Sequence, residues 1–129
     1  MATSSSAADV VGAFIAALVA RDLERALSYV TDDVEYDNVP VGAVHGPEGM
    51  RSLLAPFMER CTRMEFVVHH QAAEGDVVMN ERTDRFEFGA RSAEGKVAGL
   101  FVVRDGKIAL WRDYFDMGDF RKIQEAMEG

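Results

Sequence analysis

The chain is poor in cysteine, proline and basic charge, and it has no long hydrophobic run. Cys61 is the only cysteine in 129 residues, so no internal disulfide can form, and a reducing compartment is expected. The longest apolar stretch, residues 10–20, reaches about half of the ~20 residues a membrane-spanning helix requires. It follows a polar Ser4-Ser5-Ser6 start with no basic segment, which argues against a signal peptide. Lys and Arg total 14 against 22 Asp and Glu, a formal charge of −8. That balance disfavours nucleic acid, whose phosphates need a basic footprint, and also an anionic membrane surface. Neither the Gly-x-Gly-x-x-Gly dinucleotide fingerprint nor the Gly-x-Ser-x-Gly nucleophile turn occurs. His45, His69 and His70 lack metal-ligand spacing. His69 and His70 are adjacent and should point to opposite faces of a strand. No metal site is expected. What is left is a soluble cytoplasmic domain.

The hydrophobic share of 48% is enough for one core, so a single domain over residues 1–129 is expected, with 1–6 as a loose polar tail. Ser6 and Asp9 have the spacing of a capping box. Val10, Val11, Phe14, Ile15, Leu18 and Val19 then follow helical periodicity. A second helix is expected over 23–30, and a strand over 32–39 with Val34, Tyr36 and Asn38 on one face. Gly46-Pro47 opens a third helix, which Pro56 should bend or end. Four strands follow, over 64–71, 76–88, 96–104 and 107–116, with Asp105-Gly106 as a hairpin turn. A last helix carries Phe120, Ile123 and Met127 on one stripe. The expected class is α+β: a strongly curved, mainly antiparallel sheet wrapped by helices into a cone with an apolar internal pocket.

Strand parity supplies the informative clue. In the 76–88 strand, Val78, Asn80, Arg82, Asp84 and Phe86 share one face, and Glu81, Thr83, Arg85 and Glu87 the other. Arg82 and Asp84 therefore lie on the apolar side, where charge is costly unless paired and hydrogen-bonded. Asp113 shares a face with Trp111 and Phe115 in the same way. Tyr36, Asn38, Arg82, Asp84 and Asp113 thus point into one apolar interior. A buried Arg–Asp network can serve the fold alone, but a Tyr and an Asn aimed at the same place lean toward chemistry.

Two carboxylates joined by an arginine can hold different protonation states. Arg82 cannot itself be an acid, because guanidinium keeps its proton in proteins. Tyr36 and Asn38 each offer a donor and an acceptor to a water. A water beside an ionised carboxylate can be activated as a nucleophile, while a protonated carboxyl donates to a leaving oxygen. Cys61 has Arg60 and Arg63 as neighbours but no nearby histidine base, so a structural thiol is expected. The scattered methionines read as core filling, Trp111 as core or dimer-face packing, and the Asp32-Asp33 and Asp116…Asp119 stretches as solvated turns and a helix cap.

Tyr36-x-Asn38, Glu81-Arg82-Thr83-Asp84 and Gly106-Lys107-Ile108 leading into Trp111-Arg112-Asp113-Tyr114-Phe115-Asp116 together resemble the limonene-1,2-epoxide hydrolase family. The resemblance runs from the first helix to the last. It implies a cone of the ketosteroid isomerase and scytalone dehydratase type, usually dimeric. It also implies cofactor-free, one-step hydrolysis of a small cyclic or terpene-like epoxide to a vicinal diol. Asp113 matches the base that deprotonates water, and Tyr36 and Asn38 match groups that hold that water. Asp84 matches the acid, and Arg82 the bridge between carboxylates. The implied substrate wall is Ile15, Leu18, Phe57, Phe86, Val97, Phe115 and Phe120. An isomerase or polyketide-cyclase-like enzyme on the same cone, or a non-catalytic ligand-binding module, is the alternative.

Overall fold

A computed structural model describes residues 6–129. The tail expected over 1–6 therefore lies outside the described residues except for Ser6, which caps the first helix. Ser6 Oγ accepts from Asp9 N at 3.1 Å and Ser6 N donates to Asp9 Oδ2 at 3.3 Å. This reciprocal pair starts α1 (Ala7–Val19), whose apolar stripe buries Val11, Phe14 and Leu18. Helix α2 (Leu23–Leu27) is shorter than expected. The β-branched Val30 already belongs to β1 (Val30–Asn38), paired with Ile108.

Strand β2 (Gly42–His45) was not anticipated. Its four residues are mostly exposed and carry no apolar alternation, so there was no pattern to find. Helix α3 (Gly46–Arg60) continues past Pro56 instead of ending there. The missing N–H and the ring clash cost ~3 kcal/mol. Beyond Pro56, Met58 is buried and Phe57 packs edge-on against Phe86 and Phe88. Burial of such side chains contributes about 1.5–3 kcal/mol each, enough to carry the helix on.

The remaining strands are β3 (Arg63–Glu74), β4 (Val77–Phe88), β5 (Arg91–Arg104) and β6 (Lys107–Phe115), followed by α4 (Met117–Glu128). β3 and β5 are longer than expected because both hairpins are tight: Gly75 and Gly89 adopt positive φ in the turns. Asp105 and Gly106 have φ of 52° and 79°, the doubly left-handed turn that suits the twist of a hairpin. Asp116 caps α4, accepting from Gly118 N at 3.0 Å.

The six strands form one curved, unclosed sheet in the order β2-β1-β6-β5-β4-β3. All neighbours are antiparallel except β1 and β6, which run parallel. Helix α1 packs across β3 to β6, α3 against β1 and β2, and α4 against β5. The core therefore sits on the concave side, lined by α1, α3 and the inward residues of the sheet.

One parity expectation fails. The β3–β4 register slips between Val68 and His70. His69 occupies the bulge, so His69 and His70 both reach the wet face: His69 Nε2 is 2.8 Å from Thr83 Oγ1, and His70 Nδ1 is 2.9 Å from Glu81 Oε1. Asp32 and Asp33 lie within β1, as the strand expected over 32–39 requires and not in a solvated turn, and Asp33 pairs with Arg104.

Candidate active site

Strand β4 alternates exposed and buried residues, with Val78, Asn80, Arg82, Asp84 and Phe86 all facing inward. The Arg82 side chain is 0% exposed. A charge in that position must find partners for every donor, and it does. Nε and Nη2 donate to Asp84 Oδ1 and Oδ2, each at 2.9 Å. Nη1 and Nη2 donate to Asp113 Oδ1 and Oδ2 at 3.3 and 3.0 Å. Nη1 also donates to Asn80 Oδ1 at 3.0 Å. The planar fork makes two bidentate carboxylate contacts at once, which lysine could not reproduce. Its Cζ lies 4.9 Å from the centroid of the Phe66 ring.

Asp113 comes from β6 and accepts a further bond from Trp111 Nε1 at 2.8 Å. The indole is held between rings: Tyr36 stacks on it at 4.0 Å, Phe101 lies parallel at 6.0 Å, and Phe14 meets it edge-on at 5.2 Å. The parallel pairing of β1 with β6 sets Tyr36 beside Trp111 and Asn38 beside Asp113. Five sequence-predicted residues from three strands thus meet at one place. Among the described residues no buried side-chain nitrogen or oxygen lacks a partner.

Burial drives the electrostatics. It pushes the Asp113 carboxyl up to about 6, against the opposing pull of Arg82 and with a further push from the Asp84 charge. Burial also raises Asp84, again opposed by Arg82. Burial alone would lower Arg82, but the two carboxylates outweigh it and keep the guanidinium charged. Burial and the Asp113 charge hold the Tyr36 phenol well above its ordinary value, so it stays a neutral donor.

These groups border a cavity of about 420 Å³, within the ~300–1,000 Å³ of small-molecule pockets. Tyr36, Asn38, Asp84 and Asp113 supply its polar patch, while Arg82 lies behind the carboxylates and does not reach it. Of the expected wall, Leu18, Phe57, Phe86, Val97, Phe115 and Phe120 line the cavity. Ile15 does not. It lies one turn before Leu18 in α1, about 4.5 Å back along the axis, and is buried in the core.

Sequence reasoning missed several members. Strand parity puts Asn80 on the inner face but does not show that its Oδ1 holds Arg82. Sequence pattern gives Trp111 as packing, yet it also donates to Asp113. Phe66, paired with Asp84 across β3 and β4, lines the cavity and shares the inner face, a signal that register would have given. Asp119 lines it too, with Oδ2 accepting from Lys96 N at 3.2 Å. Cys61 is buried and its thiol is pushed up to about 11 by burial, so it is a poor nucleophile. No group of three His, Cys, Asp or Glu among the described residues is arranged to hold a metal ion. No helix among them is long and apolar enough to cross a membrane.

The model of the limonene-1,2-epoxide hydrolase catalytic domain matches residues 5–125. The chain belongs to the limonene-1,2-epoxide hydrolase family. Epoxide hydrolase EphG of Mycobacterium tuberculosis is 37% identical over 112 residues, covering 87% of this chain and 74% of EphG. A solved structure of an M. tuberculosis LEH-like epoxide hydrolase superposes with a TM-score of 0.81 at 34% identity, covering 95% of this chain and 92% of the other. An NTF2-like protein of unknown function from Burkholderia pseudomallei superposes with a TM-score of 0.79 at 19% identity, covering 92% and 97%, and shows the shared fold alone. Within the family, this chain is an epoxide hydrolase of the limonene-1,2-epoxide hydrolase type, as its motifs implied.

Proposed function

We propose that the chain adds water directly to a small, apolar, cyclic or terpene-like epoxide, in one step and without a cofactor, to give a vicinal diol. The observation that carries this reading is the pair of buried carboxylates joined by Arg82 at the edge of an apolar cavity. Asp113 in its ionised form takes a proton from a water held by Tyr36 and Asn38. The water oxygen bonds to one epoxide carbon as the C–O bond breaks. Asp84, carrying its proton, donates it to the departing oxygen, so no alkoxide accumulates. Arg82 lets one carboxyl be ionised and its neighbour protonated in the same dry space. After the step Asp113 holds the proton and Asp84 the charge, and proton exchange restores the start.

Single turnover in isotopically labelled water tests the direct addition. The label is expected in the diol on the first turnover. Unlabelled oxygen from the enzyme in that first diol would mean a covalent ester and would overturn the reading. An isomerase or cyclase on this cone needs one base and a donor, and leaves the Asp84 half of the bridge without a task. Cyclic enones assayed beside cyclic epoxides separate the two.

We also propose that the protein works as a cytoplasmic homodimer. The family resemblance supports the dimer, and so does the outer sheet face. Val77, Val102 and Leu110 lie side by side there, next to Met79 and Leu100, and Met79 is 52% exposed. Sedimentation equilibrium at micromolar concentration reads the mass directly, and a monomer there would count against it.

A further inference from the structure

Arg82 faces an unusual geometric demand. It stands on β4, and Asp113 stands on β6, with β5 between them. Neighbouring strands are about 4.8 Å apart, so the guanidinium must reach over β5 to touch a carboxylate rooted ~10 Å away. The strand it crosses carries Gly99 at that place: Asn80, Gly99 and Asp113 are in register across β4, β5 and β6. A β-carbon built on Gly99 would overlap Nη1 of Arg82 and stand 3.0 Å from both Asn80 Oδ1 and Asp113 Oδ1.

The backbone does not call for glycine here. Gly99 is not among the positive-φ residues and lies inside a regular strand, where glycine weakens the element. Nor can the guanidinium simply swing away. It is fully buried, all five N–H groups are engaged, and Phe66 covers its face. Any shift that relieves a methyl at 99 must break bonds to Asn80 or Asp113. Asn80 is itself held, because its Nδ2 donates to Gln71 Oε1 at 3.2 Å.

We propose that Gly99 is a positioning residue for the reaction: its missing side chain is the gap through which Arg82 crosses β5 to join the two carboxylates. The inference rests on the reading of Asp84 and Asp113 as acid and base.

The test is a double-mutant cycle of Gly99→Ala and Arg82→Lys, read by activity, pH profile and Tm. Alone, Gly99→Ala is expected to lower kcat at least about tenfold with KM changed by less than about threefold. Its rising pH limb should move upward, since Asp113 loses part of its cation. It should also lower Tm by about 5 °C or more. In the Arg82→Lys background, which has no Nη1 to collide with, the same methyl should cost less than half as much Tm. Equal costs in the two backgrounds, or a Gly99→Ala enzyme with unchanged kcat and pH profile, would overturn the proposal. If Gly99→Ala does not fold, the double variant should; a double variant that also fails to fold counts against it. The Tm cycle uses no substrate, so a wild-type protein inert toward every epoxide would sink the functional reading while the cycle still decided the role of Gly99.

Discussion

Asp84 and Asp113 share a single nitrogen. Nη2 of Arg82 lies 2.9 Å from Asp84 Oδ2 and 3.0 Å from Asp113 Oδ2, although the two carboxyls come from strands separated by a third. Whatever alters the charge on one is felt by the other through that shared donor and through their own repulsion.

Asp84→Asn and Asp113→Asn keep the shape and one acceptor oxygen of each side chain but remove the proton chemistry. Each should lower diol formation by about 100- to 10,000-fold, the usual share of one general acid or base. Steady-state product assays on folded variants check this. A variant that retains more than about a tenth of wild-type turnover would remove that carboxyl from the mechanism.

The pH profile should show the coupling. With Asp113 poised at about 6, kcat/KM is expected to rise with pH through that region as the base ionises. It should fall at higher pH as the remaining proton leaves the pair. The Asp84→Asn variant leaves Asp113 as the one carboxylate that Arg82 can pair with, so the rising limb of its residual activity should shift downward.

Stability should move with the same group. Asp113 has a folded value near 6 against about 3.9 for an unfolded aspartate. Between those values the folded protein holds a proton that the unfolded chain has released. The contribution of Asp113 to stability is therefore present in full below about pH 4, is lost as pH rises through about 6, and is constant above, a change on the order of 3 kcal/mol. Urea unfolding of wild type and Asp113→Asn at pH 4.5, 6 and 8 reads it. The stability of the variant relative to wild type should increase with pH across that window; a gap that stays level contradicts the assigned shift.

Trp111→Phe preserves most of the aromatic stack but deletes the donor to Asp113 Oδ1. A carboxylate that loses a donor holds its proton more tightly. The rising limb should move up from about 6 to about 7, in line with a lost charged hydrogen bond of about 1.5 kcal/mol, so activity should fall about twofold at pH 7 and about tenfold well below pH 6. An unshifted limb would reduce Trp111 to packing.

Cys61 offers a probe of folding that leaves the site untouched. The thiol is 1% exposed and burial pushes it up to about 11. Aromatic disulfide reagents at neutral pH should label it at the rate of global opening. Fast labelling under native conditions would mean the α3–β3 corner opens on its own.

The site was legible because β4 is amphipathic with a period of two. Glu81, Thr83, Arg85 and Glu87 mark the wet face so plainly that Arg82 and Asp84 could only face inward. The starts of α1 and α4 were legible from Ser6 and Asp116, whose side-chain caps act locally, and that of α3 from Gly46-Pro47, with proline in the first turn. Other features depend on contacts between distant segments. Pro56 inside α3, the bulge at His69 and the brief β2 follow from packing and pairing with partners that no local window contains. Asn80 and Trp111 illustrate the same limit: their faces could be read, but their bonds to Arg82 and Asp113 depend on register across three strands. Ile15 marks the resolution of helical periodicity, which identifies a buried stripe but not which of its members reaches the void.

The parallel ladder between β1 and β6 has a consequence for biosynthesis. Tyr36 and Asn38 leave the ribosome early, yet the strand they lie against arrives some 75 positions later, the separation of the Asp37 and Arg112 pair that fastens the two. A nascent chain that ends before Asp113 cannot set Tyr36 and Asn38 beside Trp111 and Asp113. That half of the cavity's polar patch closes only when the sixth strand lies between the first and the fifth, a pairing of long sequence separation.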